Sequence, residues 1–310
     1  MNEMDLTIFK NVYNPITITD LYKKIKKDNL SIAKKTLYTT IYRLEKKGLV
    51  TRKQQGKNIL IQQSPQPVST YLHTLLDSQP RLIKENIFTT TTLDILLTIL
   101  HKKLPIQWIT EVNAISQRNT RRYLTRLHKA AVITKHKTNE KPQVSSWTIN
   151  KINSELIQFL EAYEEFKALN IIDSVDTNAS PIWIQGIEFL IKTSQRIHPP
   201  NFKETGAAAL EKYGLKLLPA ENIYFYTKRT LTLWDHAFLT VLSRKHDPTQ
   251  LRYLAYLYKK HKPDQEEFKQ KGNYYDPQTM QLIIDFFLHH KETPHLKMQD
   301  IKELEKLYGS

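Results

Sequence analysis

Along residues 1–150 the spacing of apolar positions switches from a helical to an alternating period, and it does so twice in the same order. Met4 to Val12 reads as a short helix that stops before Asn14-Pro15, because a proline disfavours the α conformation in the residue ahead of it. Thr19 is placed to cap a second helix, with Leu21, Tyr22 and Ile25 inside and Lys23, Lys24, Lys26 and Lys27 outside. After a turn at Asp28-Asn29-Leu30, a third helix is expected from Ser31 to Lys47. Its Leu37, Ile41 and Leu44 fall at i, i+4 and i+7, one stripe for a core, and Gly48 follows as a helix-ending residue. Leu49–Lys53 and Asn58–Gln62 are strand-like, and Gln54-Gln55-Gly56-Lys57 is the turn between them.

Residues 89–150 repeat that order. A threonine at or beside Thr92 caps a helix with Leu93, Leu96, Leu97 and Leu100 inward. Pro105 opens the next, Ile106–Val112, at the position where proline is best tolerated. Ser116 caps a third, Gln117–Leu127. Ala130-Ala131-Val132-Ile133 then leads into a hairpin of Ile133–His136 and Val144–Ile149 around Thr138–Pro142. Sliding the two third helices together puts Leu127 on Leu44, Leu124 on Ile41 and Ala131 on Gly48. On that register Lys35 matches Arg118, Tyr38 matches Arg121, Thr39 matches Arg122 and Arg43 matches Arg126.

Between the two stretches, Ser64-Pro65-Gln66-Pro67 and a helix over Val68–Leu76 read as a spacer. Beyond them one long helix is expected from Lys151 to Ile172, with Ile152, Leu156, Phe159, Leu160, Tyr163, Phe166 and Leu169 at helical spacing. Core packing, rigid connection and dimerisation are all open to it. Asp173–Pro181 reads as a linker. Further on, helices are expected over Ile182–Gln195, Thr205–Tyr213, Trp234–Arg244, Gln250–His261, Gln278–His290 and Met298–Leu307, with a strand at Asn222–Thr227.

Charge changes this picture. The 310 residues carry a net charge of +15, and all of it falls in residues 1–150, which hold 25 Lys+Arg against 10 Asp+Glu. Residues 151–310 hold 21 of each. A proteome-wide basic bias would spread over both halves. A field confined to one half concentrates a polyanion there and leaves the other free for different work. A set of lysine faces kept for solubility is the competing explanation. The chain has no cysteine, which removes disulfides, thiolate zinc sites and cysteine nucleophiles. With no signal-peptide pattern and no apolar run of about 20 residues, a soluble cytoplasmic protein without a membrane span is expected.

Leu44-Glu45-Lys46-Lys47-Gly48-Leu49-Val50, preceded by two helices and followed by a basic hairpin, resembles the end of the recognition helix and the start of the wing in winged helix-turn-helix regulators. The resemblance implies a surface of Lys34, Lys35, Tyr38, Thr39, Tyr42 and Arg43 for the major groove of double-stranded DNA, with Arg52, Lys53 and Lys57 of the wing on the flanking backbone. Through the register, Arg118, Asn119, Arg121, Arg122 and Arg126 make the matching face, richer in arginine, whose planar fork suits phosphate and guanine. A solvated helix face is the alternative for both; two tyrosines among the lysines fit that alternative poorly.

The expected fold is therefore mainly α with small β-wings, an α+β class. It comprises a winged helix domain over 1–63, a linker and helix over 64–88, and a second winged helix domain over 89–150. A connecting helix and linker follow over 151–180, then a mostly helical α+β domain over 181–310. Within the last of these, Thr205–Leu215 and the strand Ile223-Tyr224-Phe225-Tyr226 resemble the C-terminal domain of AbiEi-type antitoxins, in which a small-residue helix precedes a strand. That resemblance implies an autorepressor and antitoxin, with a toxin as protein partner.

No phosphate loop, dinucleotide fingerprint or Gly-x-Ser-x-Gly elbow is present. Asp235-His236 and His246-Asp247 lack the spacing that would put two metal ligands on one helix face. The expectation is a non-enzymatic DNA-binding transcriptional regulator needing no cofactor and no metal. A second copy of the chain, or a protein at the C-terminal domain, is open as a further partner. A replication initiator on repeated sites is the alternative within the binding class.

Overall fold

Local sequence sets the helices of the first 63 residues, and their apolar stripes set how they pack. The computed structural model describes all residues except 28–31, 138–144, 220, 246 and 309–310. The expected turn at Asp28-Asn29-Leu30, the helix start at Ser31, the hairpin turn Thr138–Pro142, Val144 and His246 lie outside the described residues. Two compact units result, Met1–Ala168 and Leu169–Ser310.

The first unit opens with α1 (Glu3–Lys10), whose capping box joins Asn2 and Asp5. A two-residue strand, β1 (Ile16–Thr17), precedes α2 (Ile18–Lys27). The cap of α2 is Thr17, not Thr19: its hydroxyl accepts the Asp20 N–H at 3.1 Å, and Thr19 lies inside the first turn. Then come α3 (Lys34–Lys46), β2 (Val50–Gln55) and β3 (Asn58–Gln63). The strands form an antiparallel sheet in the order β1-β3-β2. Leu6, Phe9, Leu21, Ile25, Leu37, Ile41, Leu44 and Ile61 make its core.

Residues 64–88 carry core side chains of their own. In α4 (Pro67–Ser78) and the short α5 (Arg81–Lys84), Val68, Leu72, Leu75, Leu76 and Leu82 are buried, as are Ile87 and Phe88 after them. The order seen first then recurs: α6 (Thr90–Thr98), β4 (Leu104–Pro105), α7 (Ile106–Asn113), α8 (Gln117–Lys129), β5 (Ile133–Lys137) and β6 (Ser145–Ile149). The sheet order is β4-β6-β5, matching the first. The exits of α3 and α8 also match. Leu49 N–H donates to Leu44 O and Val132 N–H to Leu127 O, both at 3.0 Å. Gly48 and Ala131 make the turn with φ of +66° and +57°. Leu100 lies past the end of α6 and is only half-buried.

The long helix α9 (Ser154–Asp173) begins later than its apolar spacing suggested, so Ile152 precedes it and is 85% exposed. Its Leu156, Phe159, Leu160 and Tyr163 are buried, and Phe166 sits so close to Gly48 that a Cβ there would overlap the ring. Glu164 accepts from His101 (2.9 Å), and Lys167 pairs with Asp94 (2.5 Å).

In the second unit the expected helix over Ile182–Gln195 is instead a β-hairpin, β7 (Ser180–Gln185) and β8 (Glu188–Thr193), turned at Gly186 with φ of +68°. Nearly every side chain of β8 is buried, so the strand has no polar alternation to reveal its period, and a continuous apolar run fits a helix equally well. β9 (Phe202–Thr205) and β10 (Asn222–Tyr226) complete a sheet in the order β7-β8-β10-β9. Gly206–Tyr213 is a 3₁₀ helix closed by Gly214. Five helices follow: α10 (Leu233–Ser243), α11 (Pro248–His261), α12 (Gln265–Tyr275), α13 (Pro277–Leu288) and α14 (Met298–Tyr308).

Among them lies a buried ionic cluster. Arg229 donates to Glu188 (2.9 Å) and to Asp235 (2.7 Å), Lys271 donates to Asp235 (2.8 Å), and Tyr274 to Glu188 (2.7 Å). Two carboxylates against two cations, each hydrogen-bonded, satisfy one another. Burial alone would raise the Asp235 carboxyl, but Arg229 and Lys271 hold it well below the usual carboxylate range.

Candidate nucleic-acid interface

The inner stripe of α3 (Leu37, Ile41, Leu44) leaves Lys34, Lys35, Tyr38, Thr39, Tyr42 and Lys46 outside. Tyr38 is 48% exposed and Tyr42 50%, unusual for large aromatic side chains on a helix that has a core to enter. Lys46 sits 4.8 Å from the Tyr42 ring centre, a cation–π contact that the sequence reading did not include. Its signal was the four-residue step from Tyr42. Thr39 donates to the Lys35 carbonyl at 3.1 Å.

Two arginines expected on this surface are committed inside the segment. Arg43 reaches across to α1 and pairs with Asp5, a buried carboxylate, and it also donates to Thr40 at 3.2 Å. Arg52 on β2 turns back to Glu45 at the end of α3 (2.5 Å), and that hydrogen bond raises the guanidinium above its usual value. Lys53 and Lys57 stay exposed, with Lys57 next to the hairpin tip at Gly56.

On α8, Ser116 caps the first turn by accepting the Asn119 N–H at 3.3 Å. Arg118, Asn119, Arg121 and Arg122 are exposed, and among the described residues no carboxylate pairs with these arginines. Arg126 differs. It is half-buried, donates to Thr92 of α6 at 2.8 Å, and lies 5.2 Å from the Tyr123 ring centre. The register pairs Arg126 with Arg43, and both bind the first helix of their own segment. The structure thus keeps Lys34, Lys35, Tyr38, Thr39, Tyr42, Lys53, Lys57, Arg118, Asn119, Arg121 and Arg122 outward, holds the exposed Arg43 and Arg52 in ion pairs within the segment, and half-buries Arg126.

Lys129 joins Arg121 and Thr125 on one face of α8 by a four-residue step, and Lys135 and Lys137 are exposed on β5. The sequence reading included none of the three, although the register places Lys129 on Lys46 and the alternation of β5 puts Lys135 and Lys137 on one face. Among the described residues no three His, Asp or Glu side chains are grouped to hold a metal ion, and no helix is long and apolar enough to cross a membrane.

Three helices, a short strand ahead of the second, and a basic hairpin make residues 1–63 a winged helix-turn-helix unit. Residues 6–79 match the family model of the penicillinase repressor, a family of winged-helix DNA-binding repressors. The match covers about a quarter of the chain, from α1 through α4. No curated protein and no solved structure matches the chain.

Proposed function

We propose that residues 1–168 form a DNA-binding unit with two winged helix-turn-helix segments in tandem, and that the protein is a transcriptional regulator. The observation that carries this reading is the outer face of α8, where Arg118, Arg121 and Arg122 stand exposed without a carboxylate partner among the described residues, in the structural position that α3 holds in the first segment. An arginine face kept only for solubility gains from nearby acids; this one has none within α8. The repressor-family match over residues 6–79 supports the reading for the first segment.

The two faces differ in kind. With Arg43 and Arg52 paired internally, α3 offers lysines and two tyrosines, suited to base edges and thymine methyls. The α8 face offers guanidinium groups for phosphate. The C-terminal unit, close to charge balance with 19 Lys+Arg against 17 Asp+Glu over residues 169–310, serves a protein partner, an effector or a second copy.

Fluorescence anisotropy with a duplex over a salt series tests this. Each phosphate contact contributes about 0.9 to the slope of log K against log salt. The Arg121→Ala/Arg122→Ala variant is expected to lower the slope by up to about 1.8 and to weaken binding on all sequences alike. A slope equal to that of the parent protein removes α8 from the interface.

A further inference from the structure

Beside the outer face of α8 lies a recess of about 510 Å³ lined by Glu85, Arg121, Arg122, Thr125, Arg126, Lys129 and Ala130. It brings four cations together with one carboxylate, and among the described residues none of the four forms an ion pair. Arg126 makes the arrangement unusual. One nitrogen of its guanidinium is held by Thr92 (2.8 Å), yet its Nε is buried and has no hydrogen-bond partner among the described residues. A buried donor on a charged group without an acceptor costs free energy, and such groups in folded proteins are met by a carboxylate, a water or a bound anion. Thr92 is neutral and supplies no counter-charge.

We infer that this recess is a seat for a phosphate oxyanion. Arg121, Arg122 and Lys129 are exposed and supply charge, Thr125 offers a hydroxyl donor, and Arg126, which lines the same recess, carries the unmet Nε–H. Arginine's rigid fork suits tetrahedral oxyanions, and three of the four cations are arginines. The recess is open to solvent and has room beyond a bare phosphate, so it also admits a phosphate ester with a larger body. Two sources share that chemistry: a backbone phosphate of bound DNA, and a free phosphorylated small molecule. Glu85 at the rim disfavours a second anionic group beside the first. The seat stands on the recess itself and not on DNA binding.

The test uses the full chain and inorganic phosphate, titrated against chloride at matched ionic strength, with the arginine Nε–H signals read by two-dimensional NMR. The Arg126 signal is expected to move on phosphate and not on chloride. The Arg121→Gln/Lys129→Gln variant changes two exposed residues, leaves the fold unaltered, and is expected to weaken the response at least tenfold. Repeating the titration with a saturating short duplex separates the sources. Loss of the response assigns the seat to backbone phosphate; an undiminished response assigns it to a free ester. An Arg126 signal equally indifferent to both anions, or equally responsive in the variant, overturns the seat while leaving duplex binding as a separate measurement. A phosphate response in a protein that binds no duplex keeps the seat and overturns the regulator reading.

Discussion

Gly48 and Ala131 occupy equivalent turns and face different constraints. At both, φ is positive, a conformation that costs a residue with a side chain about 1 kcal/mol or more. Gly48 meets that demand without strain, and its lack of a side chain also lets the Phe166 ring lie against its backbone. Gly48→Ala is therefore expected to destabilise the first unit by about 2–4 kcal/mol, the sum of backbone strain and overpacking. Ala131 is exposed, so only the backbone matters there. Ala131→Gly is expected to be neutral or to stabilise by up to about 1 kcal/mol despite the extra freedom of glycine in the unfolded chain. Urea unfolding of the two variants checks both signs, and a stabilising Gly48→Ala would contradict the close approach. The need for a helix-ending turn at 131 is legible in the register with Gly48. Phe166 as the neighbour of Gly48 is not, because the 117 intervening residues carry no trace of the approach.

At the scale of elements, what α3 and β2 present to a ligand depends on which of their own charges they have already paired. Glu45 takes Arg52, and Asp5 on α1 takes Arg43. Both side chains of the Glu45–Arg52 pair are near or above a third exposed, so its worth to stability is small, and its main effect is to turn a wing cation back onto the helix. Glu45→Gln releases Arg52. The variant is expected to steepen the salt dependence of duplex binding by about 0.9, one further phosphate contact, with the fold unchanged by circular dichroism. An unaltered slope would show that Arg52 has no phosphate within reach. The third helices and their cores are legible from apolar spacing alone because a helix is built from contacts three and four residues apart. The hairpin of β7 and β8 is not, since burial of nearly all of β8 erases the alternation that marks a strand. Nor is α12 apparent in its stretch of mostly polar residues. Its Phe268, Tyr274 and Tyr275 are buried, and close approach to α13 is permitted by Gly272 beside Met280.

At the scale of the whole molecule, the two units respond to acid in opposite directions through their histidines. His236 in the second unit is buried, with Nδ1 on Thr205 (3.0 Å) and Nε2 on Lys212 (3.3 Å). Burial first, and Lys212 second, push it down from 6.5 to about 4. Between those values the unfolded chain binds the proton more readily, so stability falls as the pH drops through that window. The loss from pH 7 to pH 5 is about 2 kcal/mol for this group. His101 in the first unit is raised by its hydrogen bond to Glu164, so its contribution is present at low pH and is lost as pH rises through its folded value. Hydrogen exchange read on peptides of residues 169–310 should show the second unit loosening at pH 5, and His236→Gln should flatten that dependence. The same pH slope in the variant would assign it to other groups. Apolar periodicity, caps and the confinement of charge to residues 1–150 are properties of near neighbours and of sums, and the sequence by itself determined them, together with the repeated order of elements in the first unit. Where each charge ends up was decided only by tertiary structure. Arg43 meets Asp5, Arg126 meets Thr92, and Arg229 is enclosed by Glu188 and Asp235, because ion pairs and recesses form between side chains that folding alone brings within a few ångströms.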